Sequence, residues 1–125
     1  MPSTTRGPLL VRNRTRGTVL AYRCDVASNL LTQGLGLIPR SHLSEGEGLL
    51  IPSTNSITML FMRFAIDAVF IDRAWRVVRV VERLRPWLPA IFAPGAASVI
   101  ELPAGTAARA GTQAGDELMS EPAQR

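Results

Sequence analysis

Two acidic residues, Asp67 and Glu101, stand among large apolar neighbours in this chain. A buried carboxyl group needs a cation, backbone donors or a raised pKa, so residues of this kind are candidates for general acid or base chemistry. A structural role is equally open, because a carboxylate can accept hydrogen bonds from the backbone N–H groups of a neighbouring turn. The residue types alone do not separate these roles, and we assign no catalytic residue from them.

The sequence gives little support for nucleophilic catalysis or for a metal site. Cys24 and His42 are the only residues of their types, and Cys24 lies in an alternating run typical of a buried strand. A zinc site needs three or four ligands at close spacing, and the chain has neither a CxxC nor an HxxxH pattern. Gly105, Gly111 and Gly115-Asp116 are expected to have a structural role in turns, with Asp116 accepting local backbone hydrogen bonds. We therefore predict no metal and no cofactor.

All 14 basic side chains are Arg, and the net charge is +4. Four of them at odd-numbered positions would share one face of a strand and are candidate nucleic-acid contacts: Arg73, Arg79, Arg83 and Arg85. Trp75 and Trp87 flank this row and could stack on bases, although such residues more often fill or cover a core. The alternative for the row is an edge strand that its charge keeps soluble.

The pattern of short apolar runs indicates one domain, residues 9–119, between flexible tails at 1–8 and 120–125. Strand-like runs dominate and cover residues 9–12, 18–26, 48–51, 56–61, 68–72, 75–83 and 97–102. Helical windows are limited to 27–33 and 106–110, and the proline-containing stretch 84–94 is expected to be irregular. The predicted fold is α+β and mostly β: a curled antiparallel or mixed sheet, or a small partly open barrel, with one or two short helices.

The location is expected to be cytoplasmic. No apolar run is long enough for a membrane span, and no signal peptide is recognisable. A single cysteine excludes an internal disulfide framework, which agrees with a reducing compartment.

An ordered set of motifs is similar to a known family. The set consists of residues 47–50, 62–72, 76–78 and 99–105, followed by Gly111 and Gly115-Asp116. It resembles the bacterial and archaeal domain-of-unknown-function family 192, also called uncharacterised protein family 0127, over roughly residues 17–118. The resemblance implies a compact, β-dominated single domain with short helices, and it brings no activity, substrate or cofactor with it.

The central motif departs from the family pattern at three positions. A Trp commonly precedes the Met, or a His stands four residues before it, whereas Phe61 and Thr58 occupy those places here. Ala65 stands where a Pro is usual. The missing His counts against a His-dependent reaction shared by the whole family.

We therefore predict an uncharacterised, non-catalytic module that binds a small anionic ligand or a protein partner. Its candidate pocket or structural polar cluster is Thr58, Met62, Arg63, Asp67 and Glu101. In one hypothesis Asp67 anchors the segment 48–62 by accepting backbone hydrogen bonds. In the other, Met62 and Phe64 form the apolar wall of a pocket in which Arg63 grips an anion. A carboxylate-dependent hydrolase and nucleic-acid binding are the alternative functions.

Overall fold

The computed structural model describes residues 7–27 and 42–124. The elements in these ranges are β1 (Leu9–Asn13), β2 (Thr18–Val26), β3 (Glu47–Pro52), β4 (Ser56–Ile57), β5 (Ile66–Ile71), β6 (Val77–Leu84), β7 (Ile91–Phe92), β8 (Ser98–Pro103), α1 (Thr106–Ala110) and β9 (Leu118–Pro122). The predicted mostly β fold is confirmed. The predicted helix at 27–33 lies, beyond its first residue, outside the described residues.

Seven strands form one mixed sheet in the order β6-β5-β8-β3-β2-β1-β9, and β4 pairs with β7 in a small separate sheet. Within the described ranges β2 and β3 run parallel, whereas the other paired strands are antiparallel. The large sheet curls into a half-barrel whose two edge strands meet at one end. There Arg76 and Glu117 form a bridge, and the Val77 N–H donates to the Asp116 carbonyl at 2.8 Å.

The concave face of the half-barrel holds one core, which we call the inner cluster. It draws residues from every strand of the large sheet and from α1, because the curl brings all of these elements around one axis: Val11, Leu20, Ala21, Cys24, Leu50, Val69, Ile71, Val77, Ile100, Leu102, Ala110 and Leu118. Burial of these apolar side chains is the main favourable term for closing the curl.

The convex face carries a second core, the outer cluster, over the β6-β5-β8-β3 half of the sheet. Its members come from those strands, from β4 and from loops that fold back over them: Ala27, Leu43, Leu49, Ile51, Ile57, Met59, Met62, Ile66, Ala68, Phe70, Leu84, Ala93 and Val99. All residues of β5 are buried because this strand has a core on each face. Its nearly continuous apolar sequence follows from that position.

Several elements differ from the sequence prediction, and one of them is β7, a two-residue strand inside the stretch 84–94 that was expected to be irregular. The expected strand at 56–61 ends after Ile57, because the chain then turns back and the Met62 N–H donates to the Met59 carbonyl at 3.1 Å. Strand β9 continues past residue 119, the predicted end of the domain, because Ser120 and Glu121 pair with β1. A stretch without apolar periodicity thus becomes ordered through backbone pairing.

Asp116 stabilises the corner where the half-barrel closes. As predicted for the Gly-Asp turn, its Oδ2 accepts a local backbone hydrogen bond, from the Gln113 N–H at 3.0 Å. The same oxygen also accepts from Asn13 Nδ2 at 3.0 Å and from Arg16 Nε at 3.1 Å. Burial raises the pKa of this carboxyl group, but the hydrogen bonds from Arg16, Asn13 and Gln113 outweigh it, so the pKa is lower than usual.

Close approach of β3 to its neighbours generates a prediction about Gly48. A Cβ at this position would lie 3.0 Å from Leu102 Cδ2 and 3.3 Å from the Glu101 carbonyl oxygen. We expect Gly48→Ala to lower the free energy of unfolding by about 1–3 kcal/mol through overpacking, measured by urea denaturation. Gly7→Ala is the control, because a Cβ there meets nothing within 4 Å. Equal stability of the two variants would contradict the prediction.

Candidate functional site

Asp67 is fully buried on β5, and its carboxylate is held by backbone donors from two other elements. Oδ1 accepts from the Arg83 N–H at 2.9 Å. Oδ2 accepts from the Gly105 N–H at 3.1 Å and from the Ala107 N–H at 2.8 Å. The negative charge is therefore compensated by three N–H dipoles, two of which belong to the first turn of α1.

The partners of Asp67 correct the first hypothesis for this residue. It does accept backbone hydrogen bonds, but the donors lie on β6 and α1 rather than in the segment 48–62. The reason is the direction of its side chain, since Asp67 pairs with Leu102 of the inner cluster and faces the same side. The hydrogen bonds of Asp67 thus link β5 to the edge strand β6 and to α1 on the concave face of the sheet.

Glu101 lies on the opposite face of the sheet from Asp67. It pairs with Ala68 on one side and with Leu49 on the other, and both of these residues belong to the outer cluster. The expected convergence of Asp67 and Glu101 is therefore wrong, because residues in adjacent register positions of a strand point to opposite faces. Two carboxylates separated by a sheet cannot act as acid and base on one substrate.

The Glu101 carboxyl group has an unusual environment. The residue is 5% exposed, and its Oε1 has no hydrogen-bond partner. Burial raises the pKa of Glu101 from 4.5 to about 7, because the apolar surroundings disfavour the charged form. The Glu101 carboxyl group therefore binds a proton more readily than an exposed glutamate does.

The other members of the predicted cluster divide between core and surface. Met62 is 3% exposed and belongs to the outer cluster, and Phe64 is half-buried against it. Thr58 is exposed and accepts from the Leu60 N–H at 3.2 Å. Arg63 is exposed. The structure therefore places Met62 and Glu101 on one face, while Arg63 points away from the packed side of its segment.

The four arginines of the candidate nucleic-acid row do not share a face. Two bulges interrupt the pairing of β5 with β6, so the alternation of side chains shifts along β6. Arg79 pairs with Phe70 on the outer side and donates from Nη1 to the Phe92 carbonyl at 2.6 Å. Arg83 instead lies beside Gly105 at the start of α1. Its Nη2 is 3.3 Å from the position that a Cβ would take at Gly105. The predicted single row is wrong for this physical reason.

The cysteine and histidine do not form a catalytic pair. Cys24 belongs to the inner cluster, whereas His42 is exposed. Burial, and then the charge of Asp25, raise the pKa of the Cys24 thiol to about 12, so the reactive thiolate is disfavoured. In the part of the chain that the structure describes, no three His, Cys, Asp or Glu side chains are grouped to hold a metal ion.

An open groove of about 1060 Å³ lies at the end of the half-barrel where three turns meet. We call it the loop groove; it is lined by Pro52, Ser53, Thr54, Asn55, Asp72, Arg73, Ala74, Trp75, Gly95, Ala96, Ala97 and Ser98. Ser53 and Trp75 have positive φ angles of 58° and 64°. Backbone strain of this kind clusters at ligand sites, and the loop groove does not include Glu101.

Of the residues that line the loop groove, the arginine row and its tryptophans include Arg73 and Trp75 but not the other walls. Those walls come from turns that are far apart in sequence and carry no motif, such as Pro52-Ser53-Thr54-Asn55. Turn residues signal a change of chain direction, but they do not show which turns will meet. The sequence signal available was the concentration of Ser, Thr, Asn and Gly in the turns.

The fold and site define a class of protein: a half-barrel β domain whose buried aspartate accepts hydrogen bonds from three backbone N–H groups. The chain belongs to the family DUF192, described as "Uncharacterized ACR, COG1430", whose model matches residues 11–120. The predicted family membership is confirmed. The family is uncharacterised, and it indicates no specific activity for this chain.

Three known proteins are similar to this chain. A UPF0127 protein of Thermococcus sibiricus (strain DSM 12597 / MM 739) is 31% identical over 110 residues, which are 85% of this chain and 71% of that protein. A protein of unknown function from Novosphingobium aromaticivorans DSM 12444 has a TM-score of 0.77 at 24% identity, covering 90% of this chain and 83% of its own. A proposed transcription regulator from Sinorhizobium meliloti 1021 has a TM-score of 0.80 at 21% identity, covering 96% and 97%. The two solved structures support the fold.

The hydrogen bonds of Asp67 generate a prediction for Asp67→Asn. The asparagine amide keeps one acceptor oxygen, but its NH2 group replaces the other and would face buried N–H donors that then have no acceptor. We therefore expect the free energy of unfolding to fall by about 2–4 kcal/mol. The control is Asp72→Asn, because one oxygen of Asp72 accepts both of its bonds, from Ala74 and Arg76 at 2.9 Å each. Thermal and urea denaturation measure both variants, and equal losses would contradict the anchoring role.

The raised pKa of Glu101 generates a prediction about pH. The folded protein holds this proton more tightly than the unfolded chain, so the stabilising contribution is complete below pH 4.5 and is lost as the pH rises to about 7. We expect Glu101→Gln to be more stable than the unaltered protein at pH 8, by at most about 3 kcal/mol, with little difference at pH 4.5. The check is the melting temperature across this range.

A matched control for this experiment is Glu45→Gln. The Glu45 side chain is 76% exposed, and it pairs at the surface with Arg109 at 3.1 Å. Its removal should change stability by less than about 1 kcal/mol at either pH. If Glu101→Gln shows the same flat profile as Glu45→Gln, the carboxyl group at position 101 does not titrate as described.

Proposed function

We propose that this protein is a non-catalytic binding module that holds a small anionic ligand in the loop groove. The observation that carries the proposal is an open volume of about 1060 Å³ with an available guanidinium, Arg73, on its wall. This volume lies at the upper limit for small-molecule sites, which span roughly 300–1,000 Å³. The composition of the walls adds hydroxyl, amide and carboxylate groups around one indole ring.

Arg73 is the residue that we propose to grip the anion. It is exposed, and its side chain makes no hydrogen bond or ion pair with other residues in the described ranges. The neighbouring Arg76 is different, since its Nη2 bonds Glu117 Oε2 at 2.8 Å and its Nη1 bonds the Gly115 carbonyl at 3.1 Å. A planar guanidinium suits carboxylate and phosphate groups, because it donates two parallel hydrogen bonds.

The remaining polar groups of the groove favour a hydroxylated ligand. Asp72 Oδ1 is occupied by two backbone N–H groups of its own turn, which fixes the carboxylate beside Arg73. Asn55 and Ser53 are exposed on the opposite turn. A ligand with one acidic group and several hydroxyls, resting one apolar face on Trp75, would satisfy these groups together.

The two alternative functions have less support. A hydrolase with paired carboxylates lacks the pair, because Asp67 and Glu101 face opposite sides of the sheet. A nucleic-acid surface lacks a continuous row, because Arg79 and Arg83 also lie on different sides. A binding module requires neither arrangement, so it is the function that agrees with the geometry.

We include a cytoplasmic location in this proposal. It is supported by a single cysteine, buried and free, in a chain that therefore has no internal disulfide. No helix among the described residues is of a length and apolarity that would let it cross a membrane. Cell fractionation of the native protein with a compartment marker tests this location directly.

The prediction that tests the proposal uses Arg73→Gln. Titration of the protein with inorganic phosphate and with glucuronate, followed by amide chemical shifts, should perturb residues 52–55, 72–75 and 95–98. Arg73→Gln should weaken binding roughly 10- to 100-fold, the value of a charge-assisted hydrogen bond. Arg85→Gln is the control, because this exposed residue is not part of the groove.

Arg63→Gln separates the groove from the pocket that the sequence suggested. If Arg63→Gln removes the response and Arg73→Gln does not, the anion binds beside Met62 and Phe64. If neither anion perturbs the three turns at tens of millimolar concentration, the proposed ligand class is wrong.

A further inference from the structure

A pair of exposed aromatic side chains packs together on the surface outside the loop groove. Phe61 and Trp87 are 61% and 59% exposed. Their rings form an edge-to-face pair with centroids 4.9 Å apart and an interplanar angle of 62°. Leu60 beside them is 40% exposed. We call these three residues the aromatic patch; none of them lines the loop groove.

The backbone holds both aromatic residues in an unfavourable conformation. Their φ angles are 67° for Phe61 and 71° for Trp87, in the left-handed region that bulky side chains rarely adopt. The fully buried Met59 fixes this arrangement: its carbonyl accepts from the Trp87 N–H at 2.7 Å, and its N–H donates to the Leu88 carbonyl at 3.1 Å. Two loops are thus fastened together, and each presents its aromatic side chain to solvent.

This combination is unfavourable for the isolated molecule in two ways. Exposed apolar rings gain little from burial, and the positive φ angles add backbone strain. Asn or Gly at either position would remove the strain without loss of a core contact. Strain retained at an exposed aromatic pair therefore indicates a surface shaped for contact with another molecule.

The charge around the patch indicates the chemistry of the partner. The two stretches of chain that form it, 53–66 and 83–100, contain no Asp or Glu, whereas they contain Arg63, Arg83 and Arg85. Arg63 and Arg85 are exposed, each two positions from an aromatic residue, and neither makes an ion pair with the described parts of the chain. The charged side chains of these two stretches are therefore all cationic.

We propose that the aromatic patch docks an acidic segment of a partner protein, which places an apolar side chain against Phe61 and Trp87 and carboxylates on Arg63 and Arg85. Aromatic and Arg residues dominate the energetics of such interfaces, and charge complementarity orients the partner. Nucleic acid fits less well, because bases stack on ring faces, whereas this pair is edge-to-face. The docking is independent of the loop groove and of its ligand.

The experiment starts from a random twelve-residue peptide library displayed on phage and selected on the full chain. We expect the selected peptides to combine Asp or Glu with a large apolar residue. One such peptide, labelled for fluorescence anisotropy, should bind at least tenfold more weakly to Phe61→Asn and to Trp87→Asn. Asn tolerates the left-handed backbone, so both variants should keep or raise the melting temperature.

The matched control is Tyr22→Asn, which removes an aromatic side chain that is 64% exposed on β2. This variant should bind the peptide like the unaltered protein. The double variant Arg63→Gln/Arg85→Gln should bind more weakly and with a shallower dependence on salt. In the unaltered protein the peptide should shift the indole N–H resonance of Trp87, a readout that does not depend on the folding of any variant.

Several results would overturn the docking surface. Selected peptides without acidic residues would contradict the proposed charge of the partner. Unchanged binding by Phe61→Asn and Trp87→Asn would show that the aromatic patch is not the binding surface. Competition by single-stranded oligouridine at equal concentration would indicate a nucleic-acid surface instead. Concentration-dependent dimerisation in the ultracentrifuge that Trp87→Asn abolishes would indicate that a second copy of this chain is the occupant.

Discussion

Burial of one carboxylate among three backbone donors is the constraint on which the rest of this structure depends. Asp67 has no solvent contact, so its charge is tolerable only where N–H groups converge on it. Those donors come from the bulge of β6 and from the first turn of α1. One side chain therefore fixes the edge of the sheet, the position of the helix and the course of the chain after β8.

The bulge that supplies one donor to Asp67 has consequences along the whole edge strand. Glu82 and Arg83 together oppose a single residue of β5, since Ile66 pairs with Leu84 and Ala68 with Val81. The alternation of side chains therefore shifts by one residue at the bulge: Val81 and Leu84, three positions apart, both pack in or against the outer cluster. The cations of β6 are dispersed around the edge for this reason, and they do not build a continuous phosphate-binding surface.

The curl of the sheet places carboxylates with hydrogen-bond partners on one face and a carboxyl oxygen without a described partner on the other. The concave face is filled by the inner cluster and α1, and the two carboxylates there, Asp67 and Asp116, are occupied by backbone and side-chain donors. The convex face and the loops carry a carboxyl oxygen without such a partner among the described residues, the Oε1 of Glu101, together with Arg73 and the aromatic patch. The family is uncharacterised, and we propose that the binding properties of this scaffold reside in its loops.

Local chemistry in the sequence determined the elements of this fold. Apolar runs predict the main strands, and the stretch 106–110 before Gly111 predicts α1, because these signals depend on neighbours along the chain. The isolated acid at position 67 likewise required a cation or backbone donors to stay charged when buried. Only the tertiary structure decided which donors it met, since β6 and α1 lie 16 and 40 residues away in sequence. The same holds for the loop groove and the aromatic patch: both are made by turns that meet through the curl and the bulges, and these long-range arrangements leave no periodic signal in the chain.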